Sequence, residues 1–214
     1  MMKRNSIFKI GILISLIPFI FGFIFYDKLP DTMAVHFSDN NTADGFEGKL
    51  MALYGIPAFM IVIYIITYYF TLIDPRKSNQ NNTLMNIILL FLPLLSVFVN
   101  GTIIYINLGN NINIVDIMNY ILGILFVLLG NYLPKVKRNY TLGIKLPWTL
   151  DNDYIWDKTH RMGGYVYITG GIGIIIVSLF LGEYKNIIIP LIIGLIVVLP
   201  IIYSLILYKS ILKK

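Results

Sequence analysis

The chain has no cysteine among its 214 residues, and only 13% of them are charged. The missing thiols exclude a disulfide framework and any cysteine-ligated metal site. The charged share is about half that of a soluble domain. A soluble fold of this length would need more charge to dress its surface, and a disordered chain would need the opposite balance of charge and apolar residues. Histidine is nearly absent, with only His36 and His160. Apolar residues dominate instead, at 57%.

They fall into six runs: Ile7–Phe25, Met51–Ile73, Leu84–Ile106, Ile114–Leu133, Gly164–Gly182 and Ile187–Leu207. Each is long enough to cross about 30 Å of hydrocarbon. Backbone polar groups in lipid must be paired within a segment, so the runs predict an all-α, polytopic membrane fold. The alternating ten-residue segments of a membrane barrel are missing. The first run ends in Asp27-Lys28-Leu29-Pro30 rather than in a small-residue cleavage site, so it predicts a retained anchor.

Fourteen of the seventeen Lys and Arg residues lie on one side of these runs. They occupy the N-terminal edge (Lys3, Arg4, Lys9), the second and fourth connections, and the tail (Lys209, Lys213, Lys214). Only Lys28, Lys49 and Lys185 lie opposite. The bias predicts cytoplasmic termini. The net charge of +6 then reflects topology and anionic lipid headgroups, and no direct nucleic acid binding is expected. Within the runs only Lys9 and Asp116, both near ends, are ionisable Asp, Glu, Lys or Arg residues. That argues against a proton-coupled pump, a voltage sensor or a carboxylate-gated channel. Asn86, Asn100, Asn119 and Asn131 read as helix-packing groups. Gly164, Gly171 and Ser178 form a small-residue stripe suited to internal packing.

Two connections are long. Tyr26–Leu50 is acidic, with Asp27, Asp31, Asp39, Asp44 and Glu47 against two lysines. Met33, Val35 and Phe37 alternate as in a strand, while Asn40-Asn41 and Asp44-Gly45 read as turns. His36 and these acids lack zinc spacing, so neither a metal nor another cofactor is expected. Pro134–Gly163 is basic and holds both tryptophans, Trp148 and Trp156. A short helix is expected from Thr149 or Asp151, lying at the membrane interface, with Asp157 and Arg161 paired and Trp156 and His160 on one face. Asp74–Thr83, Asn107–Asn113 and Glu183–Asn186 read as plain turns. The expected organisation is a two-helix unit over 7–73, with its loop 26–50, and a four-helix unit over 84–214, with its loop 134–163.

The stretches Leu133-Pro134-Lys135, Gly143-Ile144-Lys145-Leu146-Pro147-Trp148-Thr149-Leu150 and Trp156-Asp157-Lys158-Thr159-His160-Arg161 resemble the SdpI family of bacterial membrane proteins. The run Asp27-Lys28-Leu29-Pro30, Val35-His36-Phe37, Asp44-Gly45 and Lys49 is similar to the small extracytoplasmic module that accompanies that family. Asn40-Asn41-Thr42 departs from it, where the family more often has a glycine-containing turn.

The resemblance implies a non-enzymatic immunity protein of the cell membrane that protects against a secreted peptide toxin. In the family's signalling branch it also implies a sensor that holds a cytoplasmic transcriptional repressor at the bilayer. The implied ligand-side residues are Asp27, Pro30, His36, Phe37, Asp44 and Lys49. The implied partner-side residues are Pro134, Lys135, Gly143, Lys145, Pro147, Trp148, Thr149, Trp156, Thr159, His160 and Arg161. The alternative is a small-solute or peptide transporter, which predicts a polar midplane cavity. The spans offer only scattered Asn, Ser, Thr and Tyr for one.

Overall fold

The computed structural model describes residues 4–212; Lys3, Lys213 and Lys214, which enter the charge bias, lie outside the described residues. Among the described residues six helical stretches are long and apolar enough to cross a membrane. The first comprises α1 (Arg4–Ser15) and α2 (Ile17–Phe25), which part at Leu16. Pro18 explains the break, because it offers no N–H to the carbonyl of Ile14. A hairpin follows, with β1 (Thr32–Phe37) antiparallel to β2 (Ala43–Gly48). One π-helical turn, Met51–Gly55, leads into α3 (Ile56–Ile73). Pro57 cannot donate in the regular ladder, and the wider turn absorbs that loss. The chain continues through α4 (Asn82–Asn107), α5 (Ile114–Tyr132), α6 (Pro147–Asp151), α7 (Asp153–Phe180) and α8 (Lys185–Leu212).

These elements form two compact units. One joins residues up to Leu72 to Met85–Val115, and the other joins Ile73–Leu84 to the chain from Asp116 onward. The third span thus groups with the first two, unlike the expected boundary before it. The reason is packing: Ile103 and Ile104 of α4 share a core with Leu29, Met33, Ala52 and Leu53. In the same unit the buried Tyr64 hydroxyl reaches the carbonyls of Ile7 and Phe8, at 3.4 and 3.3 Å.

In the other unit the small-residue stripe packs internally. A Cβ on Gly171 would lie 2.5 Å from the Gly123 carbonyl, and one on Gly164 would lie 2.9 Å from that of Gly130. Bare backbone on both helices lets α5 and α7 approach this closely. Ile174 and Val177 of α7 meet Ile189 and Ile196 of α8 on another side. Asp116 and Lys185 form an ion pair where α5 and α8 begin.

The fifth span differs from its sequence reading. The short helix expected from Thr149 or Asp151 is only the single turn α6, and the segment bearing Trp156 and His160 belongs to the span itself: α7 runs unbroken for 28 residues from Asp153. Its cap is Asn152, not Thr149 or Asp151. The Asn152 Oδ1 accepts the N–H groups of Tyr154 and Ile155, at 2.9 and 3.2 Å. Nor do Asp157 and Arg161 pair. Both are exposed, where an i,i+4 pair is worth only about 0.3–0.5 kcal/mol.

Candidate functional site

Two groups of residues stand out, one in each unit. The first is the hairpin. The strand expected from Met33, Val35 and Phe37 is β1, but its alternation is interrupted by an irregular register between Ala34 and Phe37. Asp44-Gly45 is no turn; it lies within β2. Gly45 opposes His36, and a Cβ there would come 2.7 Å from the His36 Cβ, so the glycine serves close strand approach. The reversal is Ser38–Thr42, closed by the Ser38 N–H to the Thr42 carbonyl at 2.9 Å. Asn41 takes φ +59° there. Asparagine tolerates the left-handed region, so it replaces the glycine usual in such a turn.

The hairpin is clasped to the rest of its unit by two asparagines. The Asn107 side chain, at the end of α4, accepts the Ala34 N–H and donates to the Ala34 carbonyl, both at 2.9 Å. Asn41 donates to the Ile112 carbonyl and accepts the Ile114 N–H, at 3.0 Å each. The connection from Asn107 to Asn113 is therefore an anchor rather than a plain turn.

Among the predicted ligand-side residues, His36 Nδ1 and Asp44 Oδ1 meet at 2.6 Å, both exposed. Lys49 pairs with Asp31 at 3.2 Å and lies over the Tyr26 ring. Asp27 and Pro30 are exposed at the hairpin base, and Phe37 is half-buried. Among the described residues no cluster of His, Asp and Glu is arranged to hold a metal ion.

The second group surrounds the start of α7. The Trp156 indole is wholly buried, donates to the Val136 carbonyl at 2.7 Å, and stacks on His160 with 3.9 Å between ring centres. His160 Nδ1–H donates to the Trp156 carbonyl at 2.7 Å, and Nε2 accepts the Ile144 N–H at 2.9 Å. A carbonyl can only accept and an amide N–H can only donate, so these partners fix the neutral tautomer. Gly143 sits against this ring with φ +112°, and a Cβ there would lie 2.3 Å from Nε2. The buried Thr149 hydroxyl donates to the Ile144 carbonyl at 2.8 Å and accepts the Leu146 N–H at 2.9 Å. Trp148 donates to Ser204 on α8 at 2.9 Å and stacks on Tyr208.

Thus Thr149, Trp156, Thr159 and His160 are buried beneath the loop, and Gly143 and Trp148 are half-buried. Pro134, Lys135, Lys145, Pro147 and Arg161 are exposed. Pro134 and Arg161 share a shallow cleft of about 300 Å³ with Asn131, Tyr165 and Ile168.

Sequence reading missed four members of this group: Asp74, Gln80, Arg138 and Asn139. The stretch from Asp74 is not a plain turn. Asp74 Oδ2 accepts from the Thr141 hydroxyl at 2.6 Å, the Tyr140 N–H at 3.1 Å and Gln80 Nε2 at 3.1 Å, while Oδ1 accepts the Arg76 N–H at 2.7 Å. Arg138 pairs with Asp153 at 2.7 Å and donates to the Leu150 carbonyl at 3.0 Å. Asn139, fully buried, accepts the N–H groups of Thr141 and Leu142, at 2.9 and 2.7 Å. The available signals were the lone acid closing the second apolar run and an Asn two residues before Thr, an Asx-turn pattern.

Burial pushes the Asp74 carboxyl up, but hydrogen bonds from Thr141, the Arg76 N–H, Gln80 and the Tyr140 N–H outweigh it and hold the group below its ordinary value. A folded-state value below the unfolded one stabilises the fold fully above the ordinary carboxylate range. That contribution disappears as pH falls through this range toward the depressed value. Asp74→Asn is expected to cost about 2 kcal/mol at neutral pH and to flatten the acid limb of the stability–pH curve, as followed by thermal melting between neutral and acid pH.

Residues 135–204, which carry most of this second group but not Asp74 or Gln80, match the SdpI/YfhL protein family, and residues 13–61, which carry the hairpin, match a domain of unknown function, DUF1648. Over 215 residues the chain is 29% identical to the immunity protein SdpI of Bacillus subtilis (strain 168), with 98% of each chain covered. No solved structure matches. With six apolar helices and this likeness, the protein is a multi-pass protein of the cell membrane.

Proposed function

We propose that this SdpI-like membrane protein protects the cell that carries it from a secreted peptide toxin. The observation that carries the reading is a likeness to an immunity protein running over nearly the whole chain, hairpin and inner loop included. In this reading the termini are cytoplasmic, the acidic hairpin meets the toxin outside, and the loop before α7 faces the cytosol. The protein acts by binding, with the bilayer, the peptide and a cytoplasmic repressor as partners.

The division of exposure supports separate roles for the inner-loop residues. Thr149, Trp156, Thr159 and His160 hold the loop from beneath. Lys135, Lys145, Pro147 and Arg161 form the surface that meets the repressor, and their three cations favour an acidic face on it.

The test is expression of the chain in cells killed by a neighbouring strain that secretes a peptide toxin. Survival is expected to rise by orders of magnitude over cells carrying an empty vector. Unchanged killing across a set of such strains, with the protein present in the membrane, would remove the immunity reading.

A further inference from the structure

The two strands of the hairpin differ at their outer edges. On β1 the main-chain groups of Ala34 point away from β2 and are both taken by the Asn107 side chain. Ala34 opposes Phe46. In an antiparallel ladder such a pair is non-hydrogen-bonded, and the N–H and C=O of both residues point outward. The bond from the Lys49 N–H to the Asp31 carbonyl, 2.8 Å, sets the same phase from the hairpin base. It gives Gly48, opposite Thr32, the same outward setting. Phe46 therefore presents both a donor and an acceptor to an incoming strand, and Gly48 a donor, its carbonyl being taken by the helical turn that starts at Lys49.

Asn41 closes the turn, and Asn107 closes β1, but β2 is exposed at every residue except the half-buried Gly45. The Phe46 ring is itself 58% exposed. Of the devices that ordinarily blunt a sheet edge, Ala43–Gly48 contains no lysine or proline; its acids Asp44 and Glu47 and the irregular register at Gly45 leave Phe46 as the regular, open edge position and disfavour acidic partners.

We propose that the free edge of β2 is a peptide-docking strand: the secreted peptide adds to the hairpin in extended form as a third strand, bonding the N–H and C=O of Phe46 and the N–H of Gly48. The inference rests on the immunity reading, which supplies the peptide. Charge selects its class. Asp31 and Asp44 are paired with Lys49 and His36, whereas Asp27, Asp39 and Glu47 have no ion-pair partner among the described residues. The complement is a cationic segment with alternate apolar residues, one set lying against Phe46 while main-chain bonds supply the register.

The full-length protein in phosphatidylcholine nanodiscs is titrated with a short synthetic peptide of alternating Lys and Val. The same peptide N-methylated at every residue, and one with Glu for Lys, are run beside it. The first peptide is expected to bind, and both others to bind about tenfold or more weakly. Phe46→Pro, which removes an outward N–H without touching the bonds to β1, is expected to lose binding like the N-methylated peptide, and Phe46→Ala only part of it. Equal binding of the N-methylated peptide to the unaltered protein would overturn the docking strand, as would equal capture by protein-free nanodiscs, where lipid alone holds the peptide. In the killing assay, full protection by Phe46→Pro would overturn the docking strand and leave immunity standing. Failure of the unaltered chain to protect would overturn immunity itself.

Discussion

Replacing Trp156 by alanine is expected to destabilise the unit containing α7 by about 3–5 kcal/mol. The indole is the largest fully buried side chain among the described residues, so its removal leaves a large cavity. Its removal also leaves the Val136 carbonyl without its partner and His160 without the ring on which it stacks. Trp156→Phe retains most of the packing and loses the N–H bond, so it should cost about 1 kcal/mol from that bond. Thermal unfolding in detergent, read by the remaining tryptophan, Trp148, measures both. Equal melting of Trp156→Ala and the unaltered protein would show that this stack does not hold the loop.

Gly143→Ala is expected to cost about 3 kcal/mol or more, from two sources. At φ +112° a side chain is strained, and the new methyl would sit 2.3 Å from the imidazole nitrogen that accepts the Ile144 N–H. His160 must swing away, and a buried amide then loses its acceptor. Because the damage passes through one ring, His160→Ala combined with Gly143→Ala should cost less than the sum of the two single changes. A double-mutant cycle on melting data checks this. Strict additivity would mean that Gly143 matters only for its backbone.

The spans were legible because lipid enforces a simple rule: a long apolar run must satisfy its own backbone. The stripe of Gly164 and Gly171 could likewise be assigned to packing, since bare helix surface has value only against another helix. Asp74 was opaque for the opposite reason. Its partners Tyr140 and Thr141 lie more than sixty residues away and interact through a backbone N–H and a hydroxyl, which no periodicity announces. Asn107 was hidden in the same way, because an amide that clasps a strand's backbone resembles any helix-ending asparagine. The Asp44-Gly45 pair misled because the glycine answers to His36 across the ladder, not to a reversal of the chain. In the inner loop the conspicuous residue types, Trp156 and His160, proved to be the inward ones, while plainer Lys145 and Pro147 face outward.

The unbroken course of α7 has a mechanical consequence. At about 1.5 Å per residue its 28 residues extend about 42 Å, so roughly 12 Å projects beyond the hydrocarbon. No joint separates the greased portion of this shaft from the portion bearing Trp156 and His160. The same rigid element therefore carries both the membrane-buried glycine contact with α5 and the Trp156–His160 stack.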